Sequence, residues 1–187
     1  MGVSPGGGPA ASLNTFLGLM SGHAVVRSIA VIAELGVPDL LASGPKTAAE
    51  LARACGADPD ALHRLLRALA ALGIFTETRE SGLFGLTALS EPLRSDSPHS
   101  LRDFVRLRGG EPYWSAWGAL DKAVRTGQAA FEHAHGATHF EYLAQHPEAA
   151  RRFDDGMRSL MRQIDASIVA AYDFSRFSRL MDAGGGQ

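Results

Sequence analysis

Between residues 16 and 35, apolar side chains such as Val25, Ile29 and Ile32 recur at helical spacing, and Gly36 and Pro38 stop the run. A short helix is expected near residues 40–42, ahead of the turn Ser43-Gly44-Pro45. Thr47, with Glu50 three residues on, has the spacing of a capping box, and its helix runs to about Cys55 before Gly56. Asp58 caps the next helix, residues 59–72, with Pro59 at the first position, where no amide donor is needed. On it Leu62, Leu65, Leu66, Leu69 and Leu72 form one apolar stripe, while Asp60, His63, Arg64 and Arg67 face away. After Gly73, residues 74–78 and 83–86 read as two strands around Glu80-Ser81-Gly82. Two helices at a tight turn followed by a hairpin predict a winged helix-turn-helix.

Beyond Ser90 the pattern is helical again, over residues 100–107, 112–125, 138–144 and 147–172, with residues 127–136 reading as a loop. The long last helix should bury Ala149, Phe153, Met157, Leu160, Ile164 and Ile168, and expose Arg151, Asp154, Asp155, Arg158, Arg162 and Asp165. Residues 1–12, rich in Gly, Pro, Ala and Ser, read as a disordered leader with neither a signal-peptide nor a myristoylation pattern. At the other end Phe177, Leu180 and Met181 lead into Asp182-Ala183-Gly184-Gly185-Gly186. That is how a strand enters a turn whose backbone must lie close to a nucleotide-type cofactor. A helix would follow in a complete unit, so the chain is expected to be a fragment cut inside this motif, a loose glycine tail being the alternative.

The 187 residues are 45% hydrophobic and 20% charged, the balance of an ordinary globular protein. A net charge of −2 does not favour nucleic acid or an anionic membrane surface. Cys55 is the only cysteine, which fits a reducing compartment, and no apolar run reaches the roughly 20 residues of a membrane span. A cytoplasmic protein is expected. Between Lys46 and Arg94 six basic residues are balanced by six acidic ones, with Glu77 and Glu80 on the hairpin that would approach phosphate. DNA affinity rests on neutralising phosphates, so the motif reads as a packing or dimerisation element, with a DNA-binding regulator as the alternative. Residues 16–35 are apolar on most sides and call for burial, against a partner subunit or within the chain's own core.

Candidate chemistry lies in the second half. His133, His135, His139 and His146 crowd one region, but a loop offers no common face and no cysteine completes a zinc set, so no metal site is assigned. No serine sits in a nucleophile elbow. Phe153, Met157 and Met161, with Trp114 and Trp117, are the residue types of a pocket for a flat ligand, or equally of a helical core.

Several stretches together resemble a known family. They are Val37-Pro38-Asp39-Leu40-Leu41, Thr47-Ala48-Ala49-Glu50-Leu51-Ala52, Leu65-Leu66-Arg67-Ala68-Leu69 and Gly73-Ile74-Phe75. They continue through Gly127 with Ala130-Phe131, His135-Gly136, Phe140-Glu141-Tyr142-Leu143, Phe153 with Met157, and Asp182-Ala183-Gly184-Gly185-Gly186. In this order the set resembles the N-terminal half of the S-adenosylmethionine-dependent O-methyltransferases of the plant caffeic-acid and bacterial polyketide-tailoring type. The resemblance implies a mainly α fold, a winged helix-turn-helix dimerisation domain with additional helices, ending at the first strand of an absent Rossmann-like domain. It divides the chain into a leader (1–14), a dimerisation domain (15–108), a helical substrate lid and linker (109–178) and the start of the cofactor domain (179–187). It implies S-adenosylmethionine as cofactor, with Asp182, Gly184 and Gly186 in its cradle, and a homodimer formed through the N-terminal helices. It implies that Phe153 and Met157 grip an aromatic or polyketide acceptor, beside Met161 and Trp114. The catalytic base and the acid that holds the ribose would lie beyond Gln187, so the chain alone is expected not to methylate. A non-catalytic dimer associating with a separate methyltransferase is a further alternative.

Overall fold

A computed structural model describes residues 9–78, 82–179, 181 and 183. The first helices are α1 (Pro9–Met20) and α2 (Gly22–Glu34), followed by a single turn, α3 (Val37–Leu40). The run expected as one helix from residue 16 is therefore two, bent by 43°. The bend falls between Gly18 and Gly22, where the Ser21 hydroxyl donates to the Leu17 carbonyl at 3.1 Å. Helix α1 also starts inside the stretch expected to be a leader: Pro9 suits a first turn, and Ala10 and Ala11 favour continuation.

Next come β1 (Lys46–Thr47), α4 (Ala48–Cys55), α5 (Pro59–Ala71), β2 (Phe75–Thr78) and β3 (Leu83–Leu86). Thr47 and Glu50 form the capping box, the Glu50 amide donating to Thr47 Oγ1 at 3.2 Å and the Thr47 amide to Glu50 Oε2 at 2.8 Å. The strands form an antiparallel sheet in the order β1-β3-β2, with Phe75 opposite Leu86 and Lys46 opposite Phe84. Strand β1 was not expected, because two residues carry no period. Phe75 and Phe84 are fully buried with Ile32, Val37, Leu51, Leu66 and Leu69, so the sheet closes one side of a core built by α2, α4 and α5. Leu72, assigned to the same stripe, is 51% exposed, because α5 ends at Ala71 and the chain turns away there.

After a 3-10 turn at Glu91–Leu93 the chain forms α6 (Arg102–Gly109), α7 (Tyr113–Gly118), α8 (Leu120–Thr126), α9 (Ala130–His135), α10 (His139–Gln145) and α11 (Pro147–Ala171). Two expectations change here. The helix expected at 112–125 breaks at Ala119, next to Gly118, and the loop expected at 127–136 contains α9. Gly127 and Gly136, both at positive φ, terminate α8 and α9 and so frame a six-residue helix too short to show a period.

Helix α6 lies between α2 and α11, and small residues set the approach. A Cβ on Gly109 would overlap Ala30 of α2, and one on Gly156 of α11 would sit 2.7 Å from Leu107 Cδ2 and 3.2 Å from the Asp103 carbonyl. Ser159, 4% exposed, donates to the Ser100 carbonyl at 2.8 Å. The buried row of α11 is thus Gly156 and Ser159. Its apolar stripe is only half-buried at Phe153, Met157 and Leu160, and is 40% exposed at Ile164 and 50% at Ile168. The same three helices meet at Glu34, which accepts from Arg106 Nε at 2.6 Å and Arg152 Nη2 at 3.5 Å. The Arg106 hydrogen bond holds the Glu34 carboxyl below its usual range.

Candidate functional site

Trp114 and Trp117 project from α7 into a cavity of about 720 Å³ shared with α2 and α6. Its other walls include Val26, Ile29, Phe104 and Val105, and its ionisable lining groups are His23 and Arg108. The volume lies within the roughly 300–1,000 Å³ of small-molecule sites, and the mix of apolar walls with few polar groups is typical of them. Trp114 is braced from outside by the Arg27 guanidinium, 5.7 Å from its ring centre, and Arg27 in turn donates to the Gly109 carbonyl. The close α2–α6 approach at Gly109 and the orientation of Trp114 are therefore linked.

Tyr113, the neighbour of Trp114, enters a second grouping of rings from α9, α10 and α11. Its hydroxyl lies 2.5 Å from His139 Nε2. His139 stands edge-on to Phe131 at 5.3 Å and to Phe153 at 5.0 Å between ring centres. Phe131 also touches His135 at 4.5 Å, and Tyr142 stacks on His146 at 3.9 Å. Burial pushes the Tyr113 phenol up to about 12, against a small opposing effect of Arg108, and burial lowers His139 from its ordinary value. Both groups are held neutral, so Tyr113 O–H donates and the His139 Nε2 lone pair accepts.

The other histidines are similarly occupied. His135 Nε2–H donates to the Pro112 carbonyl at 2.9 Å, and His146 Nδ1–H to the Tyr142 carbonyl at 2.8 Å. His133 Nε2 lies 2.8 Å from Thr126 Oγ1. Among the described residues no group of three or more His, Cys, Asp or Glu side chains is arranged to hold a metal. His133, His135 and His139 tie helices together, a role invisible in sequence because their partners lie on other elements, whereas His146 bonds back to the end of α10.

The predicted acceptor residues fall in three settings. Trp114 lines the cavity, Phe153 belongs to the ring grouping, and on α11 Met157 is half-buried and Met161 37% exposed. Asp182, Gly184 and Gly186 lie outside the described residues. Sequence reasoning missed Phe104, Val105 and Arg108, which reach the cavity only because α6 packs beside α2. On the hairpin, Glu77 approaches Arg67 at 3.7 Å and His63 at 3.9 Å, so its charge faces the basic side of α5. No single described helix is long and apolar enough to cross a membrane; residues 12–20 and 22–34 pass only as a bent pair.

Comparison with known proteins gives this geometry a context. The O-methyltransferase dimerisation domain matches residues 17–96 and the O-methyltransferase domain matches residues 117–187. The chain is 43% identical over 170 residues to phenazine O-methyltransferase PhzM of Lysobacter antibioticus, covering 91% of the chain and 49% of that protein. It is 38% identical over 178 residues to the mitomycin biosynthesis 6-O-methyltransferase of Streptomyces lavendulae, covering 95% and 51% respectively. The solved structure of LaPhzM superposes with a TM-score of 0.81 at 41% identity, over 89% of the chain and 49% of its own. Human N-acetylserotonin methyltransferase, in complex with SAM, gives 0.79 at 25% identity, over 92% and 52%. The chain spans about half the length of these relatives. With both domain models matched in sequence order, and the fold matched in three dimensions, the chain belongs to the O-methyltransferase family.

Proposed function

We propose that the chain is the N-terminal part of an S-adenosylmethionine-dependent O-methyltransferase that methylates a hydroxyl of an aromatic or polyketide-like molecule in secondary metabolism. The apolar cavity walled by Trp114 and Trp117 carries this reading, because it offers flat contact surface where the family's acceptors are flat. When bound, S-adenosylmethionine supplies an electrophilic methyl. Trp114 holds the acceptor from the cavity, and Phe153, Met157 and Met161 of α11, which do not line that cavity, are proposed as further acceptor contacts. Such positioning converts a bimolecular displacement into an effectively intramolecular one. Asp182, Gly184 and Gly186 are proposed to begin the cofactor cradle.

The finer assignments follow from the same reading. Residues 15–108 form a winged-helix dimerisation domain, 109–178 a lid over the acceptor, and 179–187 the start of the Rossmann-like domain. The α4–α5 pair with its hairpin serves packing, since Glu77 offsets the charge that a phosphate backbone would require. A homodimer forms through α1 and α2, and the protein is cytoplasmic. With half of each relative's length unmatched, the chain alone is inactive.

Calorimetry with the neutral aromatic probe 2-naphthol tests the cavity. Binding to the native chain, and weakening by about tenfold or more in Trp114→Ala, is expected. Equal binding by both forms would refute an acceptor role for Trp114. A radiolabelled methyl-transfer assay of the chain showing turnover above background would refute the inactivity.

A further inference from the structure

The cavity between α2, α6 and α7 is apolar in its walls, yet its ionisable lining is one-sided. It includes Arg108 and His23 and no carboxylate. His23 is committed at Nδ1, whose N–H donates to the Met20 carbonyl at 2.9 Å, so in the neutral ring Nε2 is a lone-pair acceptor. It brings no negative charge to balance the arginine.

Arg108 differs from the other arginines of its helix. Arg102 lies 3.4 Å from Asp39, and Arg106 lies 2.6 Å from Glu34 and 3.3 Å from Asp103. Those two serve the packing of α6 against α2 and α3. Arg108 is exposed, and among the described residues it has no carboxylate within ion-pair distance. A guanidinium with five donors at a tryptophan-walled cavity fits one kind of ligand: a flat ring with an acceptor-rich anionic group at its edge.

We propose that the cavity selects flat aromatic molecules bearing an anionic substituent, a carboxylate in the simplest case, with Arg108 as the counter-ion. This rests on the reading of the cavity as the acceptor site and sharpens it. The rings supply most of the affinity through burial against Trp114, Trp117 and Phe104, and Arg108 supplies discrimination. Because Arg108 is solvent-exposed, its contribution is modest and screened by salt.

Isothermal titration of the 187-residue chain at neutral pH, with 1-naphthoate and the uncharged 2-naphthol, tests the proposal. The expected result is a preference for the carboxylate of about 5–10-fold that shrinks at high salt. Arg108→Gln should abolish the preference, 1-naphthoate losing more affinity than 2-naphthol, and Arg108→Lys should restore part of it. Circular dichroism checks that the variants keep the native helix content, as an exposed substitution should. Equal affinity for the two probes, or a preference that survives Arg108→Gln, overturns the anionic selectivity and leaves the acceptor cavity standing. Failure of both probes to bind overturns both.

Discussion

Asp58 accepts a hydrogen bond from the Ala61 amide at 2.8 Å, satisfying one of the donors that the first turn of α5 would otherwise leave open. Pro59 follows with its φ already set. Asp58→Ala should cost about 1 kcal/mol in urea unfolding, while Asp58→Asn should be nearly neutral, because an amide oxygen accepts the same bond. His139 makes a second prediction at this scale. Its pKa is depressed from 6.5 by burial, so the unfolded chain binds more protons in the window just below 6.5. The stability that its neutral form contributes is fully present above 6.5 and is lost as pH falls through the folded value. Thermal melts should therefore drop between neutral and mildly acidic pH, and His139→Gln should flatten that part of the profile. Glu34, also depressed, loses its contribution only at lower pH, below its ordinary value of 4.5, so the two windows separate. An unchanged profile in the His139 variant would contradict a His139 imidazole depressed by burial.

At the scale of elements, α6 is the member on which the others depend. It is one of the shorter helices, yet it carries the Gly109 approach to α2, the Leu107 contact with Gly156 of α11, and three cavity residues. Gly109→Ala would press a methyl into Ala30 and onto the Val26 carbonyl, 3.2 Å away, neither of which can rotate aside. Overpacking of this kind costs about 1–3 kcal/mol. Chemical denaturation should show the loss, and binding of 2-naphthol should weaken too, since Arg27 links Gly109 to Trp114. Gly156→Ala should be destabilising as well, because a methyl there meets Leu107 Cβ at 2.9 Å and the Asp103 carbonyl at 3.2 Å, neither of which can rotate aside. The amphipathic stripe of α11 was legible as a pattern, but its burial was not. Sequence shows that Phe153, Met157 and Ile164 share a side; only packing shows that Gly156 and Ser159 are what α6 touches.

Over the whole molecule, apolar surface is concentrated where the chain has no cover of its own. Leu13, Phe16, Leu17, Leu19 and Met20 on α1 are each at least 53% exposed, and Ile168 and Val169 continue the pattern at the far end of α11. Apolar surface of that extent on consecutive turns is what the proposed dimer through α1 would cover. Phe16→Glu combined with Leu13→Glu should convert a light-scattering mass of twice 19.8 kDa into the single-chain value without loss of helix signal. A chain that is already single at micromolar concentration would contradict the dimer. Local rules determined much of the architecture in advance. Capping boxes, proline at first turns, glycine at helix ends and the leucine stripe of α5 act within a few residues, so the linear order contains them. They placed α4, α5, the hairpin and α11, and the ordered motifs carried the family. What the tertiary structure alone decided was the company each residue keeps: β1 beside β3, the bonds of His139 to Tyr113 and of His135 to Pro112, and the meeting of Trp114 and Arg108 at one cavity. Those depend on contacts between positions far apart in the chain, whose free energies arise only once α2, α6 and α11 have closed on one another.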